Sequence, residues 1–211
     1  EWATKQCKFH SMFKIAVLIS GNGSNLQSLI DACEKNTIRG EIQLVISNNP
    51  NAFGIQRAKK HSLNCKVINN EDFKSREDFD LAILQELKKI NLDLIVLAGF
   101  MRILTPIITE SFEEKIINIH PSLLPKYPGL NTHESVIKNG DKKHGITIHF
   151  VNDVLDGGKI IAQGEISVQQ SDTVQDIKKR IHSIEHAMLP RVVSKFADGS
   201  IFKYGKIYEK F

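Results

Sequence analysis

Asn118 and His120 stand two residues apart, after the β-branched pair Ile116-Ile117 and before a segment carrying Pro121, Pro125 and Pro128. Strand periodicity puts residues i and i+2 on one face of the pleat, so an amide donor and an imidazole project together. The imidazole is the side chain whose ordinary pKa lies nearest neutrality. Taken alone, the pair is either the centre of an active site or an ordinary strand end.

Four other stretches carry chemistry. Ser-Gly-Asn-Gly-Ser-Asn (20–25) lies between a predicted strand and a predicted helix, where free backbone N–H groups and the helix dipole favour an anion. It is not the dinucleotide fingerprint. Its sixth position is Leu26, and the second strand ends in Ser47-Asn48-Asn49, with no carboxylate for a ribose. A terminal phosphate fits better than a dinucleotide, and a plain glycine turn is the alternative. His-Ser-Ile-Glu-His (182–186) matches H-x-x-E-H, a zinc signature of inverted metallopeptidases. Its two histidines share a helical face, but a third ligand must come from elsewhere, so a helix without metal and with a functional or buried Glu185 is preferred. Asp156 precedes Gly157 and Gly158 in the 152–160 segment. A carboxylate there is commonly a turn former; placed beside His120 it would instead favour the imidazolium. No such companion is evident for His133, His144 or His149, for which packing is the simpler reading. Finally, Leu-Ala-Gly-Phe-Met-Arg-Ile-Leu (97–104) follows a buried strand, at the edge where open α/β sheets bind ligands.

The elements that must position these residues alternate. Predicted strands lie at 14–20, 41–47, 65–68, 93–99 and 115–119, and predicted helices at 24–36, 52–62, 76–90 and 105–114. The first strand is apolar throughout, as a strand covered on both faces should be. The helix at 24–36 carries Leu26, Leu29, Ile30 and Cys33 on one stripe. The alternation predicts βαβ units and an open, mostly parallel twisted sheet with helices on both faces, a Rossmann-like arrangement. Beyond the prolines a short helix at 132–140, two strands at 145–151 and 159–168, and a long helix at 173–199 bent at Pro190 follow. These strands should pair antiparallel, and 200–211 should close as an edge hairpin around Tyr204-Gly205.

The chain has 211 residues with 41% hydrophobic and 25% charged residues, the profile of a soluble globular domain. No apolar run reaches the roughly 18 residues of a membrane span. The net charge of +4 is scattered, with no aromatic-interleaved basic stripe for nucleic acid. Cys7, Cys33 and Cys65 are widely spaced and form no C-x-x-C, as expected of reduced thiols in the cytoplasm. Residues 1–11 lack the apolar core of about 7–15 residues that marks a signal peptide. They read as a non-native extension, followed by a single domain over 12–211.

Ile-Ser-Gly-Asn-Gly-Ser-Asn-Leu-Gln (19–27), the 97–104 segment, 118–130, His149-Phe150-Val151 with Leu-Asp-Gly-Gly (155–158), and Glu-His-Ala (185–187) together carry a family resemblance. From Lys14 to Gly199 the chain resembles the folate-dependent phosphoribosylglycinamide formyltransferases of purine synthesis. The resemblance implies that the amine of glycinamide ribonucleotide attacks the formyl carbon of 10-formyltetrahydrofolate through a tetrahedral intermediate. It implies Asn118, His120 and Asp156 as the catalytic set, with Asn118 donating to the oxyanion and His120 supplying a proton to the departing folate nitrogen. Gly23, Ser24 and Asn25 would cradle the substrate phosphate, and Glu185 would contact glycinamide ribonucleotide. Arg76, Met101, Arg102, Ile103 and Leu104 would line the folate site with Asn118, Asn152, Asp153 and Asp156. Asn131 and His182 receive no role. No metal is implied, and the partners are small molecules, with neither nucleic acid nor membrane, acting on a monomer or weak homodimer. Formyltetrahydrofolate hydrolase is the nearest alternative, and a zinc hydrolase a distant one. The hydrolase is expected to add an N-terminal regulatory domain, and methionyl-tRNA formyltransferases a C-terminal tRNA-binding one.

Overall fold

The computed structural model describes residues 12–203. The first strand, β1 (Phe13–Ile19), is buried on both faces and splits its side chains between two cores. Ile15, Val17 and Ile19 join one cluster with Leu26 and Leu29 of α1 (Ser24–Glu34) and Val192 and Val193 of the long C-terminal helix. Ala16 and Leu18 join the other, with Phe79, Ile83 and Leu87 of the helix over 76–88. A strand alternates faces at every residue, so an apolar run without alternation requires cover on both sides. Each such buried side chain contributes about 1.5–3 kcal/mol relative to exposure.

The chain continues through β2 (Gly40–Ser47), α2 (Phe53–Lys60), β3 (Cys65–Val67), a 3-10 turn, α3 (Arg76–Lys88), β4 (Leu94–Leu97), α4 (Pro106–Thr109) and β5 (Ile116–His120). After the proline segment come α5 (Thr132–Lys138), β6 (Lys143–Phe150), β7 (Ile160–Ser167), α6 (Val174–Ala197) and α7 (Ser200–Lys203). The seven strands form one sheet in the order β3-β2-β1-β4-β5-β6-β7. Pairs through β4–β5 are parallel, whereas β5–β6 and β6–β7 are antiparallel, as predicted. Order reverses between β1 and β4, the topological switch point at whose carboxyl edge such sheets take ligands.

Two predicted features differ. The helix predicted to 114 stops at Thr109 and gives way to turns, with Glu114 at φ 55. Its predicted cap is also indirect. Pro106 occupies the first helical turn, but the Thr105 hydroxyl caps nothing, and the Thr105 N–H donates to the buried carboxylate of Asp80 at 2.5 Å. The long helix predicted over 173–199 is α6, which holds the buried Pro190 inside it and is opened by a capping box between Thr173 and Asp176. Second, residues 200–203 form a helical turn where the hairpin was predicted. The Ser200 N–H bonds Asp198 Oδ1 and its hydroxyl bonds the Lys195 carbonyl, across the left-handed Gly199 (φ 73) that separates this turn from α6. The Tyr204-Gly205 turn and residues 1–11 lie outside the described residues.

Candidate active site

The switch point opens into a cavity of about 960 Å³. Its walls are the 20–25 turn, the 97–104 segment, the end of β5, residues 129–134, the loop after β6 and one face of α6.

One end of the cavity is built by an unusual helix start. Gly23, at φ 72, occupies the cap position of α1, and no side chain caps that helix. Glycine tolerates this left-handed backbone, and a Cβ there would lie 2.6 Å from the Gly54 Cα. The first N–H groups of α1 therefore remain available toward the cavity. The side chain of Asn25 donates to Glu185 Oε2 at 3.3 Å, while its amide oxygen is buried without a partner. Glu185 is 6% exposed, and burial pushes its carboxyl up to about 7 against the opposing Asn25 hydrogen bond.

At the other end β5 and β6 bring the polar groups together. Asn118 pairs across the ladder with His149, and His120 with Thr147. The His120 Nε2–H donates to the Tyr127 carbonyl at 2.8 Å, and its Nδ1 lies 3.4 Å from Asp156 Oδ2. Tyr127 and Asp156 thus place an oxygen beside each ring nitrogen. Asn118 Nδ2 lies 3.4 Å from Asp156 Oδ1 and 3.2 Å from His149 Nε2. Asp156 also accepts from the Gly129 N–H at 2.8 Å. Burial alone would raise its carboxyl, but His149, the Gly129 amide and His120 outweigh that and hold it below the usual carboxylate value.

Asp156 adopts φ 50, and the loop returns to β7 through Gly157 and Gly158. A Cβ on Gly158 would sit 1.7 Å from the Phe150 carbonyl oxygen, so glycine is required there. The facing proline segment is tied down too. The Leu124 N–H donates to Thr147 Oγ1 at 3.0 Å, and the Gln163 amide to the Leu124 carbonyl at 2.9 Å.

The formyl transferase family profile matches residues 13–193. The chain belongs to the formyl transferase family. It is 48% identical to the phosphoribosylglycinamide formyltransferase of Escherichia coli K12 over 187 residues, 89% of this chain and 88% of that protein. It is 39% identical to the human trifunctional purine biosynthetic protein adenosine-3 over 89% of this chain, but only 19% of that protein. The solved phosphoribosylglycinamide formyltransferase of Coxiella burnetii, in complex with CHES, superposes with a TM-score of 0.86 at 44% identity. That match covers 90% of this chain and 89% of the solved one. Glycinamide ribonucleotide transformylase 1 of Symbiobacterium toebii gives a TM-score of 0.87 at 39% identity, covering 89% of each chain.

Within this formyltransferase fold, Gly23, Ser24, Asn25, Met101, Arg102, Ile103, Leu104, Asn118, His120, Asn152, Asp156 and Glu185 all line the one cavity. Arg76 and Asp153 are not on its wall. Arg76 donates to the Ile103 carbonyl of the 101–104 loop at 2.8 Å. Asn131 and His182, without a role in the sequence reading, do line it. His182 and His186 stack with ring centroids 6.1 Å apart, while Glu185 turns to Asn25. Among the described residues no group of three or more His, Cys, Asp or Glu is arranged to hold a metal. His149 is the residue that sequence reasoning passed over. Its ring contacts Asn118 and approaches Asp156 to 3.7 Å, and its position on the same strand face as Thr147 was the available signal. His133 and His144, also read as packing residues, bond to each other at 2.9 Å.

Proposed function

We propose that this chain transfers the formyl group of 10-formyltetrahydrofolate to the amine of glycinamide ribonucleotide, in purine biosynthesis. The observation that carries the reading is the convergence of Asn118, His120 and Asp156 with the uncapped start of α1 in one cavity. Relatives named for this reaction match over nearly 90% of the chain. The substrate phosphate sits on the N–H groups around Gly23, Ser24 and Asn25, and Glu185 accepts from the ribonucleotide. The folate lies against Met101, Arg102, Ile103, Leu104 and Asn152, where the exposed side chains of Met101 and Ile103 supply apolar surface.

In the reaction the amine lone pair attacks the formyl carbon, and the C=O electrons move onto oxygen. The Asn118 amide contacts at 3.2 and 3.4 Å are long enough to exchange for that oxyanion. His120, set between Asp156 and Tyr127, stabilises the charge and gives a proton to the folate nitrogen as the C–N bond breaks. Asp156 carries the compensating charge and holds the ring. The amine's surplus proton leaves with solvent, so the products are formylglycinamide ribonucleotide and tetrahydrofolate. The same reading brings a cytoplasmic setting, small-molecule partners only, and a monomer or weak homodimer.

The test is formyl transfer from 10-formyltetrahydrofolate to glycinamide ribonucleotide, run beside a control in which water is the only acceptor. Rapid tetrahydrofolate release that requires the ribonucleotide supports the proposal. Equal release in the control would identify a hydrolase instead.

A further inference from the structure

Ser20 closes β1 at the switch point, and every polar group it has is engaged. Its N–H donates to the Gly99 carbonyl at 3.2 Å, and its own carbonyl accepts from Asn49 Nδ2 at 3.2 Å. Its hydroxyl donates to Asn48 Oδ1 at 2.5 Å and accepts the Met101 N–H at 2.7 Å. One residue thus ties the ends of β1, β2 and β4. A serine hydroxyl has one proton to give and lone pairs to receive, so the two bonds use it in complementary senses.

The remaining anchors of the two loops do not join them. The 21–23 turn is held by α2, where the Gly54 N–H donates to the Gly21 carbonyl at 3.0 Å and Arg57 Nε to the Asn22 carbonyl at 2.9 Å. The 101–104 loop is held by α3, through Arg76 to Ile103 and Asp80 to Thr105. Ser20 has a hand in both. Asn48 and Asn49 stand where a dinucleotide fold places its ribose carboxylate, and here their side chains turn inward to Ser20. Asn48 is 6% exposed, so losing the Ser20 hydroxyl leaves its amide oxygen short of a partner.

We propose that Ser20, backed by Asn48, is a positioning residue that couples the two substrate subsites. Ordering of the 20–25 turn by a bound phosphate is passed through the Ser20 hydroxyl to the Met101 N–H, and so to the loop that receives the folate. This rests on the functional reading above. A coupling between binding sites is reciprocal and is read as a ratio of dissociation constants.

Calorimetry with tetrahydrofolate and glycinamide ribonucleotide, a pair that cannot react, measures that ratio directly. In the wild-type chain, saturating ribonucleotide should tighten tetrahydrofolate binding by at least about fivefold, within the usual range for coupled sites. In Ser20→Ala and in Asn48→Ala the ratio should fall to near one, while ribonucleotide binding alone changes little. Ser20→Thr, which keeps the hydroxyl, should restore the ratio. An unchanged ratio in Ser20→Ala overturns the proposal, as does an equal loss in both separate affinities with the ratio intact. A wild-type chain that transfers formyl groups with a ratio near one would also sink the coupling. One that couples the two ligands yet transfers no formyl group would sink the functional reading instead.

Discussion

Asp156 is held by more than its loop: the Gly129 amide, Asn118, His120 and His149 all face its two oxygens. Asp156→Asn keeps the shape but removes the charge opposite His120. Loss of positioned acid–base help costs about 10²–10⁴ in rate. We expect kcat per folded molecule to fall at least about 10²-fold with KM little changed, the mark of an interaction made in the transition state. Near-normal turnover in the folded fraction would reduce Asp156 to a turn former. Glu185 offers a second test. Its folded-state value is raised from 4.5 to about 7, so the unfolded chain loses that proton first. Stability from this group is complete below 4.5 and declines as pH rises toward 7. Glu185→Gln should therefore raise denaturation stability at pH 8 by about 2–4 kcal/mol, with the gain vanishing near pH 4. Equal gains at both pH values would show that the carboxylate is not the cause. The same variant should bind glycinamide ribonucleotide more weakly.

Among the elements, the junction of β1 with α1 forms the proposed phosphate site. Gly23 combines a left-handed φ of 72 with a 2.6 Å approach of its missing Cβ to Gly54. Gly23→Ala must distort the turn, at a cost of about 1–3 kcal/mol. The ribonucleotide KM should rise at least tenfold, whereas a substrate lacking phosphate, already weak, should be little affected. Equal sensitivity of the two substrates would move phosphate recognition elsewhere. Elements were also the level at which the sequence was most readable. The apolar runs of β1 and β4 and the stripe on α1 follow directly from periodicity, and so does the βα alternation. The helix at 105–114 was overextended because its Thr-Pro start was legible, while no glycine or proline in 110–114 marks its end at Thr109.

For the molecule as a whole, the packing of α5 against β6 supplies a pH dependence. His133 and His144, bonded at 2.9 Å, are both pulled down to about 4, chiefly by burial. Lys178 adds to the effect on His133, and His133 to that on His144, against opposing Glu134 and Asp141. The folded state keeps both rings neutral, so the unfolded chain binds more protons between pH 6.5 and about 4. Stability should be complete above 6.5 and decline as pH drops toward 4. The slope is roughly 1.4 kcal/mol per pH unit for one ring, a few kcal/mol over the range. Denaturant midpoints across that range should show the loss, and His144→Gln should flatten it. Glu185 shifts wild type and variant alike over this range, so equal pH slopes in wild type and His144→Gln would exclude the pair as the source.

Sequence alone determined the α/β architecture, because the alternation of buried runs and amphipathic stripes leaves few ways to cover both faces of a sheet. It also placed Asn118 and His120 on one strand face, since the period of two is a local property. The identity of their partners was not local. His149 reaches Asn118 only because β6 pairs antiparallel with β5 in one register, and Asp156 reaches both only because Gly157 and Gly158 let its loop fold back. Ser20 looked like the first residue of a glycine turn until β4 brought Met101 to its hydroxyl and β2 brought Asn48. Arg76, expected at the folate site, meets the 101–104 loop through the Ile103 carbonyl only because α3 docks beside it. Periodicity says which way a side chain points from its own element; which groups it meets depends on strand order and register, and these are fixed only when the sheet assembles.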